Sequence, residues 1–184
     1  AACARATRFI FLEYFIIADD ASFARLEAVL SDRAAHGVDV RLLYDDMGSI
    51  GRAHRSLRSR LCAQGIQCRA FNPVMPLFNL FLNNRDHRKI CVVDGETAFT
   101  GGYNIADEYF APSRRYGEWK DCGIMLRGAA ACSFTVMFLA QWHALLQRGG
   151  RRDAGSDAAL CARVLVPSAT SALLSTVGAP CEAA

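Results

Sequence analysis

Between residues 8 and 71 the chain alternates three short segments of strand composition with two stretches of helical period, and few folds accommodate that order. Residues 8–17 are dense in Phe, Ile, Leu and Tyr, which suits a buried strand better than a helix. Asp19, Asp20 and Ser22 then offer N-cap oxygens, and Phe23, Leu26, Val29 and Leu30 recur at helical spacing until Gly37 supplies a stop. Residues 38–44 read as a second strand, 54–64 as a second helix closed by Gly65, and 66–71 as a third strand. This β-α-β-α-β order predicts a largely parallel sheet with helices over its faces, and ligands of such sheets sit beyond the strand ends.

The pattern changes after residue 71. Residues 72–84 form a loop holding Pro73 and Pro76 and an apolar series: Val74, Met75, Leu77, Phe78, Leu80 and Phe81. Residues 89–93, 97–100 and 119–126 read as strands, the first two joined by a hairpin turn at Asp94-Gly95. A helix over 130–146 places Phe134, Phe138, Trp142 and Leu145 on one face. Arg148-Gly149-Gly150-Arg151-Arg152 opens a stretch with the composition of an exposed linker. The expected organisation is an α/β domain over residues 1–148, its mixed, mostly parallel sheet flanked by helices on both faces. Residues 149–184 follow as a linker with one further strand near 162–167.

Composition narrows the partners. A formal charge of +3 without a basic tail permits an anionic substrate but demands neither nucleic acid nor an anionic membrane. Of the 21 basic residues only Lys89 and Lys120 are lysines, so each warrants scrutiny. The eight cysteines include no C-x-x-C pair, and Cys91 and Cys132 fall inside apolar runs, which favours reduced thiols over a disulfide framework. Cys62, Cys68 and His54 lack a second close pair of ligands, so no metal is expected. The apolar stretches are interrupted by Glu13, Arg127 and Gln141, so no spanning helix is expected, and no signal peptide is expected. The chain opens Ala1-Ala2-Cys3 without an initiator methionine, from which a missing upstream segment is expected.

The strongest signal is His87-Arg88-Lys89-Ile90-Cys91-Val92-Val93-Asp94, followed by Gly101-Gly102-Tyr103-Asn104. On a strand, residues two apart project from one face, so an imidazole and an ammonium converge near the strand's start. Such a point suits a phosphate. A neutral imidazole is a competent nucleophile toward phosphorus, and a lysine neutralises the non-bridging oxygens. Asn104 can add an amide donor, and Gly101 and Gly102 let backbone approach the substrate. Singly, His87 fits a strand-end histidine and Lys89 a snorkelling surface lysine; together with Asp94, the glycines and Asn104 they favour the phosphate site. Asp121 fits both an acceptor for one imidazole nitrogen and an ordinary strand-end carboxylate. Glu13 fits a buried structural carboxylate as well as a site residue. Lys120, Arg85 and Arg88 read as solvated charges, His36 as a residue near a helix C-terminus, and His54 and His143 as surface residues.

These residues resemble the phospholipase D superfamily, whose signature is H-x-K-x-x-x-x-D followed by G-[GS]-x-N. The wider context is similar to bacterial cardiolipin synthases at Leu12-Glu13-Tyr14-Phe15-Ile16, Val40-Arg41-Leu42-Leu43-Tyr44-Asp45, Asn84-Arg85-Asp86-His87-Arg88-Lys89, Gly102-Tyr103-Asn104-Ile105-Ala106-Asp107-Glu108-Tyr109 and Trp119-Lys120-Asp121, over about residues 7 to 147. The resemblance implies transfer of a phosphatidyl group between phosphatidylglycerols through a phosphatidyl-histidine, without metal or cofactor. It implies His87 as nucleophile or general acid, Lys89 and Asn104 as phosphate holders, and Asp94 as chiefly structural at the turn. The family carries two such motifs per chain and this sequence one. Val164-Leu165-Val166-Pro167-Ser168 resembles the opening strand of a second half, so that half, or a second copy of the chain, is the expected partner. A peripheral place at a bacterial inner membrane follows from the lipid substrate.

Two other readings remain. One is a single-motif phosphodiesterase or nuclease acting as a homodimer, which would place the chain in the cytoplasm; the other is a non-catalytic membrane-binding remnant. The apolar loop favours lipid, because a nuclease would line that approach with arginines and stacking aromatics, and no nucleic-acid partner is expected.

Overall fold

The computed structural model describes residues 1–74, 83–110, 117 and 120–148. A 3-10 turn at Cys3–Arg5 leads into strand β1 (Phe9–Tyr14), helix α1 (Ala21–Ala35), β2 (Asp39–Asp45), the short α2 (Asp46–Ser49), α3 (Leu57–Ala63) and β3 (Gln67–Phe71). Then come β4 (Lys89–Val93), β5 (Thr97–Gly101), the short α4 (Asp107–Phe110), β6 (Gly123–Arg127) and α5 (Ala129–Arg148). The punctuation read from sequence acts as expected: the Asp20 carboxylate accepts from Phe23 N at the start of α1, and Gly37 and Gly65 take positive φ beyond α1 and α3.

The six strands form one sheet in the order β3-β2-β1-β4-β5-β6. The pairings β1·β2 and β2·β3 are parallel, and β1·β4, β4·β5 and β5·β6 antiparallel, so β1, β2, β3 and β5 run one way and β4 and β6 the other. Helices cover both faces. Ile10, Leu12 and Tyr14 of β1 point toward Phe23 and Leu30 of α1 and Leu57 and Leu61 of α3. Phe9 and Phe11 point toward Phe138, Leu139, Trp142 and Leu146 of α5. Each of these large side chains contributes about 1.5–3 kcal/mol by leaving water.

Helix α5 departs from expectation in one respect. Gln141 does not end its apolar character, and Ala129–Gln147 is long and apolar enough to cross a membrane by length and composition. Here it packs on the sheet, with Phe138 and Trp142 stacked ring to ring and Trp142 beneath the guanidinium groups of Arg41 and Arg69. The apolar residues Met75, Leu77, Phe78, Leu80 and Phe81, Trp119, the linker and the strand near 162–167 lie outside the described residues.

The β4–β5 turn holds the start of β1 in place. Asp94 and Gly95 both have positive φ, and Glu96 N donates to Val93 O, the arrangement of a type I′ turn. The Asp94 carboxylate thereby accepts from the backbone N of Thr7, Arg8 and Phe9 at 2.8–2.9 Å. Burial pushes this carboxyl up, but the three amides outweigh burial and hold it below the usual carboxylate range. A depressed folded-state value contributes stability that is present above the unfolded value, about 3.9, and is lost as pH falls through the folded one. Asp94→Ala should therefore cost about 1.5–3 kcal/mol in urea unfolding at pH 7. The deficit should shrink when the titration is repeated in acid.

Candidate functional site

Because β4 runs antiparallel to β1, its start lies beside the C-terminal ends of β1, β2 and β3. Tyr14 pairs with Lys89, Asp45 with Phe71, and Gly101 with Gly123, so these termini form one edge of the sheet. His87, Lys89, Gly101, Gly102, Asn104 and Asp121 all come to this edge. Asp94 does not; it ends β4 at the opposite edge, where its carboxylate bonds the start of β1.

His87 is exposed and lies just before β4 rather than within it, so the two-residue strand spacing does not by itself place it beside Lys89. Two contacts do. Its ring packs on Phe15 with centroids 4.7 Å apart, and its carbonyl oxygen accepts from Lys89 Nζ at 2.6 Å. Neither ring nitrogen is hydrogen-bonded among the described residues. Lys89 is only 4% exposed, with Nζ 5.2 Å from the centre of the Phe15 ring. Burial lowers the pKa of this ammonium, while Asp86 and Asp121 pull it back up.

Asn104 is 3% exposed. Its Oδ1 accepts from Ile16 N at 3.0 Å and its Nδ2 donates to Tyr109 Oη at 3.0 Å. Ile105 N donates to Ile16 O, and Ala18 N to Ile105 O. The asparagine thus fixes the segment after β1 that carries Phe15, the platform under both His87 and Lys89. The sequence pointed to Asn104 as a phosphate donor and gave no sign of this second task.

Asp121 is exposed, its Oδ1 accepting from Cys122 N at 2.7 Å and its carboxylate lying against Gly102. Its charge reaches Lys89, but no bond to the His87 ring is formed among the described residues. The glycine pair has a steric reason. A Cβ on Gly101 would meet Cys122 O and the Gly123 backbone of β6, and one on Gly102 would meet Asp121.

On the α5 face a cleft of ≈ 540 Å³ opens beside the histidine, lined among others by Phe71, Arg85, His87, Arg88 and Gln141. Arg85 and Arg88, which the sequence placed in solvent, are both ion-paired. Arg85 meets Asp45 at 3.3 Å, and Arg88 meets Asp86 at 3.0 Å and Glu13 at 2.6 Å. Asp45, Asp86 and Phe15 were missed by the sequence reading; the dense charge of Asn84-Arg85-Asp86-His87-Arg88-Lys89 was the one available signal. His36 caps the end of α1, whereas His54 lies in a loop bonded to Ser56 rather than in a helix. Among the described residues no group of His, Cys, Asp or Glu has the clustering of a metal site.

Gly101 should be the less replaceable glycine, because its Cβ would strike backbone that cannot rotate away. Gly101→Ala is expected to lose about 1–3 kcal/mol in urea unfolding. Gly102→Ala, whose nearest neighbours are atoms of the Asp121 side chain, should lose less.

The family model for the phospholipase D-like domain of cardiolipin synthase matches residues 2–118. A Streptococcus mutans protein of unassigned function is 43% identical over 138 residues, covering 75% of this chain and 30% of its own. A Staphylococcus aureus cardiolipin synthase is 38% identical over 144 residues, covering 78% of this chain and 29% of its own. The chain therefore spans less than a third of the curated relatives it matches. Among solved structures, the phospholipase D family member Nuc from Salmonella typhimurium superposes with a TM-score of 0.55 at 22% identity, over 77% of this chain and 82% of Nuc. NucT from Helicobacter pylori gives a TM-score of 0.51 at 11% identity, over 76% of this chain and 83% of its own. Those two likenesses are of fold. The family model, which matches more than half of the chain, establishes that it belongs to the phospholipase D-like domain family of the cardiolipin synthases.

Proposed function

We propose that the chain provides one half of a phosphatidyl-transfer site of cardiolipin synthase type. The observation that carries this reading is the exposed His87 imidazole, unbonded at its ring among the described residues and seated on Phe15 beside the buried Lys89 ammonium. In the first step the neutral imidazole attacks the phosphorus of a phosphatidylglycerol, and the bond to the glycerol oxygen breaks. An acid opposite the histidine protonates that oxygen, and a phosphatidyl-histidine remains. In the second step a hydroxyl of another phosphatidylglycerol attacks phosphorus, the opposite group takes its proton, and His87 is released. Lys89 and Asn104 hold the phosphate oxygens, Gly101 and Gly102 leave room for the substrate to approach the backbone, and Asp121, whose charge reaches Lys89, is the acceptor toward which the imidazole would turn once substrate is bound. Asp94 serves the fold at a distance.

The opposite acid comes from another segment, either a second half or a second copy of the chain. Three features support this: the chain spans 29% of its Staphylococcus relative, the described residues contain one motif, and β6 ends the sheet with Ile124 and Met125 more than half exposed. An apolar sheet edge is a surface that another unit can cover. A lipid substrate places the working enzyme at a bacterial inner-membrane surface, with the apolar residues of 74–81 as the expected contact.

In the complete enzyme His87→Ala should lower cardiolipin formation on the order of 10³-fold or more with its unfolding transition unchanged. Near-normal turnover would remove His87 from the site. Lys89→Arg should lose on the order of 10²-fold, since a planar fork cannot replace a compact charge on one phosphate oxygen. The purified chain, if monomeric by light scattering, should form negligible cardiolipin. Robust activity from a monomer would overturn the half-site, and activity confined to a dimer would favour two identical chains sharing the site.

A further inference from the structure

Beneath His87, on the sheet face covered by α5, two carboxyl groups share a single cation. Glu13 is 0% exposed and Asp86 7%. Arg88 reaches both, with Nη2 2.6 Å from Glu13 Oε1 and Nε 3.0 Å from Asp86 Oδ1. Asp86 is otherwise well supplied, since Arg88 N also donates to its Oδ1. Glu13 is not: neither of its oxygens accepts an aligned hydrogen bond. Its strand neighbours are Leu43 on β2 and Ile90 on β4, and α5 closes the face with Phe138, Leu139, Trp142 and Leu146. The other nearby charges are committed elsewhere, Arg85 to Asp45 and Lys89 to the His87 carbonyl.

A buried ionised carboxylate without an aligned donor is costly, and two such groups cannot be balanced by one arginine. A single proton on Glu13 resolves both problems: the acid then has a donor for the Asp86 carboxylate, and Glu13, Asp86 and Arg88 sum to zero charge. We infer that Glu13 is a positioning residue for His87, acting as a neutral acid that donates a hydrogen bond to Asp86 and so fixes the Asp86–Arg88 backbone that presents the imidazole. Asp86 is tied in turn to the sheet through its own N–H, which donates to Asp45 Oδ2 at 2.9 Å. The acid–base character of the pair agrees. Burial, then the Asp86 bond, pushes Glu13 up to about 9, and although burial pushes Asp86 up, the bonds from Glu13 and Arg88 hold it low. This inference rests on His87 as the reacting group, but its test reads the chain itself and does not depend on transfer activity.

A group raised in the folded state stabilises fully below its unfolded value, about 4.3, and that stability is lost as pH rises toward about 9. Within this window each pH unit costs the wild-type chain up to about tenfold in its folding equilibrium. Glutamine copies the neutral acid, keeps a donor for Asp86 and does not titrate. Glu13→Gln should therefore unfold at higher urea concentration than wild type at pH 8, the gap closing by pH 5, and should leave the NMR signals of the His87 ring in place. Glu13→Ala should displace those signals and the amide signals of residues 86–88. A Gln variant less stable than wild type at pH 8 would show an anionic Glu13 paired with Arg88 and overturn the inference. Unmoved His87 signals in a folded Ala variant would overturn the positioning role. If the Ala variant does not fold, His87 signals displaced in the Gln variant would overturn it, and retained signals would support it.

Discussion

The antiparallel pairing of β4 against β1 is the constraint on which the rest of this molecule depends. Three parallel strands would by themselves leave a sheet edge with a crevice and no chemistry in it. Reversing the fourth strand brings its N-terminal end, and with it His87, to the edge where β1, β2 and β3 finish. The same reversal carries the Asp94 turn to the far edge, where its carboxylate holds the start of β1. One motif thus contributes to both ends of the strand, with the candidate site at one and anchorage at the other.

Around the site, charge is kept in place by burial rather than by exposure. Lys89 is buried beside an aromatic ring and bonded to the His87 carbonyl. Desolvation weakens its hold on a proton, and an anion arriving there would restore it. On the other face Asp45 is paired with Arg85, and Asp86 and Glu13 share Arg88, so the segment presenting the histidine is tied to the sheet from both sides. The imidazole itself is left toward solvent. The proposed attack by His87 on phosphorus would require that combination of rigid backbone and open ring.

Sheet likeness to Nuc and NucT says how the chain folds. Similarity to cardiolipin synthases, over under a third of their length, supports a lipid phosphodiester as substrate and a second unit as partner.

Read alone, the sequence determined the α/β class, the elements around the β4–β5 hairpin, the helix caps and the residues of the motif, because each is local. Strand composition, cap oxygens, a type I′ turn and the spacing of His87, Lys89 and Asn104 are all encoded within a few neighbouring positions. Tertiary structure decided the rest. Which strand lies beside β1 depends on pairing across about eighty residues, and no local pattern carries it. Arg85 and Arg88 looked solvated because Asp45 and Glu13, though not Asp86, are distant in the chain. Asn104 looked like a donor to substrate, yet its carbonyl end holds Ile16 and so the platform under His87. Whether Glu13 was structural or functional turned on burial and on a shared cation, and both exist only once the chain has folded.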